Sequence, residues 1–161
     1  MDEMLKMVAR ARVMDELMAE GLDVALPVGT CDIDMLALVE SQTAPCGLVS
    51  VPIQVVALHG DGLSRHLEAT RMSGMLIALV WDVGKSAPIR SFAFSSAELI
   101  LVKMIDLMSG ADAERACVEA GPARAREAVL RKAIEPFAMS PGNWRKKLTA
   151  IVAGRPATQG R

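Results

Sequence analysis

The sequence predicts an α+β fold: a central mixed β-sheet flanked by helices. Three observations predict it. A helix-periodic stretch opens the chain, about five short apolar runs bounded by Gly and Pro turns follow, and helical patterns return after residue 95. Bulk numbers agree with one folded domain. The chain has 161 residues, is 52% hydrophobic and is only 3% aromatic, with no Tyr and 11 Met, so Leu, Val, Ala, Ile and Met must build its interior. A Met-rich face fills a core or forms an adaptable interface.

Each element has its own signal. Residues 2–20 are a helix, with Met4, Leu5, Val8, Val13, Leu17 and Met18 at helical spacing and Gly21 placed to end it. Leu22 to Leu26 is a strand stopped by Pro27 and Gly29. Asp32 to Glu40, apolar after two acids, is the second strand, and 41–47 is a turn. Leu48 to Leu58 is the third strand. Residues 63–73, with Arg65, His66, Glu68 and Arg71, are a polar loop or an irregular strand. Met75 to Val83 is a continuous apolar strand of the kind buried on both faces, and Ile89 to Phe94 returns beside it, with Trp81 and Phe94 in the core. Ser95 or Ser96 caps a helix running to Met108, with Glu98 in its first turn. A further helix spans about 111–134, interrupted near Gly121-Pro122 and ended by Pro136. Ser140 to Asn143 turns the chain into a last short helix, and 154–161 is expected to be a disordered tail.

Several function classes have no support. No apolar run approaches the roughly 18–20 residues of a membrane span, and Asp2 and Glu3 replace the basic flank of a secretory signal. Cys31, Cys46 and Cys117 are odd in number and widely spaced, which argues against a disulfide framework or a CxxC zinc site and makes a cytoplasmic setting the expectation. Motifs of P-loop, serine-hydrolase and zinc-protease type do not occur. Charge is uneven. Residues 1–110 hold 8 Lys/Arg against 14 Asp/Glu, and residues 111–161 hold 10 against 5. The basic C-terminal part is either a nucleic-acid footprint or a solvated helix face with a basic tail.

The candidate site lies on two neighbouring strands. Asp32 and Asp34 form a carboxylate pair, and Gln54 is a polar residue set among β-branched neighbours, costly to bury without a partner. The pair is either metal-binding or a strand entrance where Asp32 is solvated and Asp34 alone turns inward. Gln54 is either a ligand or an amide paired with backbone groups. Trp144 beside Arg145, Lys146 and Lys147 is either a stacking platform with phosphate-binding cations or an anchor that docks the last helix.

The ordered series Asp15-Glu-Leu-Met-Ala-Glu-Gly21, Val24-Ala-Leu-Pro27, Asp32-Ile-Asp-Met-Leu36 and Ile53-Gln-Val-Val56 resembles the PD-(D/E)XK nuclease superfamily. Its Holliday-junction-resolvase-like and restriction-endonuclease-like members are the most similar. Leu76 to Val83 and Ile89 to Leu99 match the strand pair and helix that complete such a sheet, so the resemblance covers roughly residues 10–105. It implies a restriction-endonuclease-like core over 1–110, with a helical extension over 111–153 packed on it. It further implies a catalytic set of Asp34, Gln54 and Glu16, with Asp34 and Gln54 holding Mg²⁺ or Mn²⁺ and DNA as substrate. Arg65, Arg71, Trp144, Arg145, Lys146 and Lys147 are the nucleic-acid-binding candidates.

The family's lysine maps to Val56. Valine can neither orient the attacking water nor offset transition-state charge, a loss commonly of about a hundredfold in rate or more. A basic residue from elsewhere (Lys85, Lys103, Arg65 or Arg71) or His59 as general base would have to substitute. The alternative is a catalytically inactive nuclease-fold module that binds a protein partner or a second copy of itself, through the Met-rich first helix or the basic C-terminal part.

Overall fold

The structure is a computed structural model of all 161 residues, and the described residues are 3–28, 32–42, 44, 46–58, 75–83, 88–102 and 129–154. Helix α1 (Glu3–Ala19) opens the chain. It buries Ala9, Val13 and Leu17, spaced four apart, against the sheet. Gly21 ends it at φ 71°. The Gly21 N–H donates to the Met18 carbonyl and the Leu22 N–H to the Leu17 carbonyl, and buried Leu22 folds back onto the same core.

Five strands follow: β1 (Asp23–Ala25), β2 (Met35–Glu40), β3 (Leu48–Leu58), β4 (Leu76–Trp81) and β5 (Arg90–Phe94). They lie in the spatial order β1-β2-β3-β4-β5. β1, β2 and β3 form an antiparallel meander, with Met35 opposite Ile53 and Val39 opposite Val49. β3 and β4 are parallel, Gln54 facing Ile77 and Leu58 facing Trp81. A parallel pair needs a crossover connection; residues 59–74, which join the two strands in sequence, lie outside the described residues. β5 closes the sheet antiparallel to β4. The sheet is therefore mixed, as the sequence predicts.

Every residue of β4 is buried because both sheet faces are covered. On one face α1 and the C-terminal helix (Asn143–Ala153) pack over Met35, Val51, Ile53, Val55 and Ala57. On the other, helical segments 96–102 and 129–134 bring Leu99, Val102, Leu130 and Ile134 onto Val56, Leu58, Leu79, Trp81 and Phe94. The 96–102 segment starts in a capping box: Ser95 Oγ accepts from the Glu98 N–H, while Glu98 Oε2 accepts from the Ser95 N–H. A short 3-10 turn, Glu135–Phe137, carries the chain past β5, where the Met139 N–H donates to the Ser91 carbonyl.

β2 begins three residues later than the sequence pattern suggests. Asp34 is the reason: its N–H donates to the Ile53 carbonyl, and its Oδ2 accepts the Val55 N–H at 2.7 Å. The side chain thus takes the place of a main-chain ladder partner, and Asp32 lies exposed ahead of the strand. The expected loop or strand at 63–73, residues 103–108 of the helix that the Ser95 cap opens, residues 111–128 of the 111–134 helix and residues 155–161 of the tail lie outside the described residues.

Candidate functional site

Asp34 sits where β2 and β3 part, its side chain 1% exposed. A carboxylate removed from water must be paired and hydrogen-bonded, and here both oxygens are. Oδ1 accepts from Arg10 Nε at 2.6 Å and also from Arg10 Nη2, with Lys6 Nζ at 3.2 Å. Oδ2 is held by the Val55 N–H. Lys6 and Arg10 are four apart on α1 and so point the same way, and their side chains remain 30% and 36% exposed. Of the two readings of the acid pair, the entrance arrangement is the one present: Asp32 is solvated and Asp34 alone turns inward.

Gln54 is on the next strand, its Oε1 buried without a hydrogen-bond partner. Such an atom is a natural site for a cation or a donor. Val56 is two residues further along the same face, buried in the core beneath the helical segments. A hard divalent cation needs several oxygens, anionic ones above all. Among the described residues no three His, Cys, Asp or Glu side chains converge to hold an ion, and Asp34 already carries two cations. The donor set as arranged does not fit Mg²⁺ or Mn²⁺. Lys85, Lys103, Arg65, Arg71, His59 and His66 lie outside the described residues.

Glu16 is turned to a different task. Its Oε1 accepts from Ser91 Oγ at 3.0 Å and pairs with Arg12 Nε, and its Oε2 accepts from Trp144 Nε1 at 2.9 Å. It therefore fastens α1 to β5 and to the C-terminal helix. Trp144 is 1% exposed, so neither ring face is open to a stacked base; the docking arrangement is the one present. Arg145 Nη2 donates to the carbonyls of Glu20 and Gly21. Lys147 grips Glu98 and lies over the Phe137 ring. Burial pushes the Glu98 carboxyl up, but the hydrogen bonds from Lys147 and Ser95 outweigh it and leave it below its ordinary value. Lys146 is exposed.

A cavity of about 150 Å³ lies between α1 and the 139–144 turn, lined in part by Arg12, Glu16, Met139, Pro141 and Trp144. Glu16, one of its polar lining groups, is already hydrogen-bonded on both oxygens.

The outer face of α1 is different in kind. Met4, Met7 and Met18 are 70%, 60% and 58% exposed, and Val8 and Ala11 are exposed beside them. Met4, Met7, Ala11, Met14 and Met18 follow a three-four spacing, the a and d positions of a heptad, with Met14 half-buried against the core and the other four exposed. Helical periodicity alone places Met4 and Met18 on the helix with Val13 and Leu17 and does not separate the core side, Ala9, Val13 and Leu17, from the solvent side. Lys6, Arg10 and Glu20 were not singled out as site residues, although the i,i+4 basic pair on α1 was a signal in plain view. No described helix is long and apolar enough to cross a membrane. Comparison with protein-family models, curated proteins and solved structures returns no match to this chain.

Proposed function

We propose that this chain is a nuclease-like α+β module that acts by self-association through α1 rather than by hydrolysing phosphodiesters. The observation that carries the reading is the exposed heptad seam of α1. Four exposed apolar side chains, Met4, Met7, Val8 and Met18, share the outer side of α1 with charged Glu3, Arg12 and Asp15. A three-four apolar spacing is the pattern that another helix fills, each side chain entering a hole between four neighbours. The occupant is a second copy of this chain, because a seam that repeats the same residue type is complementary to itself and closes as a two-fold dimer. One helix face covers less than the roughly 800 Å² per partner of a standard interface, so the dimer is expected to be weak and concentration-dependent.

The nuclease-like part of the reading is supported by the order of elements. α1 comes first, then an antiparallel meander, then a parallel fourth strand, with Asp34 just ahead of β2 and Gln54 on the adjacent β3. Hydrolysis is disfavoured by Val56 and by the cations on Asp34. Nucleic-acid engagement through the C-terminal part has less to stand on, since Trp144 is buried and Arg145 and Lys147 hold internal partners.

Analytical ultracentrifugation over a wide concentration range tests the reading. The expected result is a monomer–dimer equilibrium that Met7→Glu with Met18→Glu shifts to monomer while leaving the unfolding midpoint within a few degrees. A wild-type chain that stays monomeric at the highest concentration overturns it.

A further inference from the structure

The outer seam of α1 is built from thioethers, which gives it a chemistry that other apolar side chains lack. We propose that the seam is a peroxide-sensitive switch: Met4, Met7 and Met18 are oxidised to sulfoxides in the free monomer, and the oxidised chain no longer pairs. The inference rests on the self-association reading and names how that association is regulated. It makes no use of the nuclease resemblance.

Two observations and the symmetry of the pair converge. First, the methionines divide by place. Met4, Met7 and Met18 are 70%, 60% and 58% exposed, whereas Met35 is fully buried in the sheet and Met75 is 3% exposed. A peroxide in solution therefore reaches the seam before the core, and the fold outlasts oxidation of its outer face. Second, nothing on the seam can receive a sulfoxide. Its other members, Ala11 and half-buried Met14, and Val8 beside them carry no side-chain hydrogen-bond donor. The cationic donors of α1 are turned elsewhere, Lys6 and Arg10 to Asp34 and Arg12 to Glu16. A sulfoxide oxygen pressed against a facing helix would meet carbon and sulfur. An unpaired polar group shut off from water weakens association by roughly tenfold or more. Two-fold closure then doubles the effect, because each copy brings the same residues to the interface.

The step is an oxygen transfer that balances with hydrogen peroxide alone. The thioether sulfur attacks one peroxide oxygen, and the S–O bond forms as the O–O bond breaks. The departing hydroxide takes the proton of the transferred oxygen and leaves as water. Methionine becomes its sulfoxide, peroxide is reduced to water, and the charge of α1 does not change. Pairing and oxidation compete for one surface. The dimer shields the seam sulfurs, so the oxidant acts on the monomer, and a weak dimer keeps that monomer within its reach.

The test uses the full chain and dilute hydrogen peroxide, with peptide mass spectrometry to locate each added oxygen and analytical ultracentrifugation to follow association. Oxygen is expected at Met4, Met7 and Met18 before Met35 and Met75, and more slowly as protein concentration rises. The oxidised chain is expected to need at least about tenfold higher concentration to pair, with an unfolding midpoint within a few degrees of the untreated one. Methionine sulfoxide reductases of both epimer specificities should restore pairing. Met4→Leu with Met7→Leu and Met18→Leu keeps an apolar seam without oxidisable sulfur, so this triple variant should pair alike before and after peroxide. It retains exposed Cys46, and so controls for oxidation of that thiol. Seam sulfoxides that leave pairing unchanged overturn the switch alone, as does a triple variant that peroxide dissociates equally. An untreated chain that is monomeric throughout overturns the self-association reading and the switch with it.

Discussion

Glu20 and Arg145 cap each other's helices. The Glu20 carboxylate accepts the N–H groups of Gly142, Trp144 and Arg145 at 2.9, 3.2 and 2.8 Å, satisfying the open start of the C-terminal helix. Arg145 Nη2 returns to the carbonyls of Glu20 and Gly21, the two residues that follow α1. The negative group faces the positive end of one helix dipole and the positive group faces the negative end of the other. Gly21 permits the approach: at φ 71°, a Cβ there would also lie 3.3 Å from Arg145 Nη2.

Each side chain caps the other's backbone, so Glu20→Ala opens the start of the C-terminal helix and Arg145→Ala frees the Glu20 and Gly21 carbonyls. Glu20→Ala is expected to cost about 1–2 kcal/mol, the range of a lost N-cap, and Arg145→Ala about 1 kcal/mol, the range of lost hydrogen bonds at an exposed site. The two caps meet on adjoining groups, so the double variant should depart from additivity by more than about 0.5 kcal/mol. Urea unfolding of the four proteins checks this; strict additivity would show that the caps act separately.

Trp144 and Glu16 yield a second expectation. The indole fills the core under α1 and donates to Glu16 Oε2 at 2.9 Å. Trp144→Phe keeps most of the packing and removes the donor, for an expected loss of about 1–2 kcal/mol; Trp144→Ala should lose about 3–5 kcal/mol through the cavity left behind. A residue that served mainly to stack on bases would tolerate both in the absence of nucleic acid. Chemical denaturation therefore separates the docking role from the stacking one.

The strands were legible because their signals are local. Leu48–Leu58 coincides with the predicted run, and Leu76–Trp81 and Arg90–Phe94 fall inside theirs. Gly21 carried the end of α1 in a single residue whose positive φ few others adopt. Asp34 was legible as an inward-turning acid, but its counter-ions were not. Arg10 is 24 residues away on another element, and no period or turn rule links a helix cation to a strand-entrance carboxylate. Trp144 was ambiguous for the same reason: basic neighbours look alike whether the ring between them is exposed or buried under a helix 128 residues away. Three-dimensional proximity, not residue type, decided both.

The Asp34 anchor between α1 and β3 should reveal itself in graded substitutions. Asp34→Asn keeps an acceptor for the Val55 N–H but leaves Lys6 and Arg10 facing each other without a carboxylate. Both cations are partly solvated, so the cost is about 1 kcal/mol. Asp34→Ala also orphans the buried Val55 N–H and should cost about 1–3 kcal/mol more. Amide hydrogen exchange gives the sharper readout. Val55 should lose protection in the alanine variant and largely keep it in the asparagine one. Equal protection in both would mean that the carboxylate does not hold that amide.

Glu98 carries the clearest pH dependence. Its carboxyl is desolvated, which raises its proton affinity, yet hydrogen bonds from Lys147 Nζ at 2.5 and 2.6 Å and from Ser95 bring it below the ordinary value. A carboxyl whose folded pKa lies below its unfolded one stabilises the fold fully above the unfolded value, and loses that contribution as pH falls through the folded one. The affected window is therefore the acid side, from about pH 4.5 downwards. Glu98→Gln removes the titrating group while keeping an acceptor for the Ser95 N–H, so its stability should fall less steeply than wild type on acidification across that window. The capping box would survive and the pair with Lys147 would not, so near neutral pH the variant should be the less stable of the two. The curves should converge as the wild-type carboxyl takes up its proton. Unfolding midpoints measured from neutral to strongly acidic pH test this, and parallel curves throughout would mean that Glu98 ionises alike in the folded and unfolded chain.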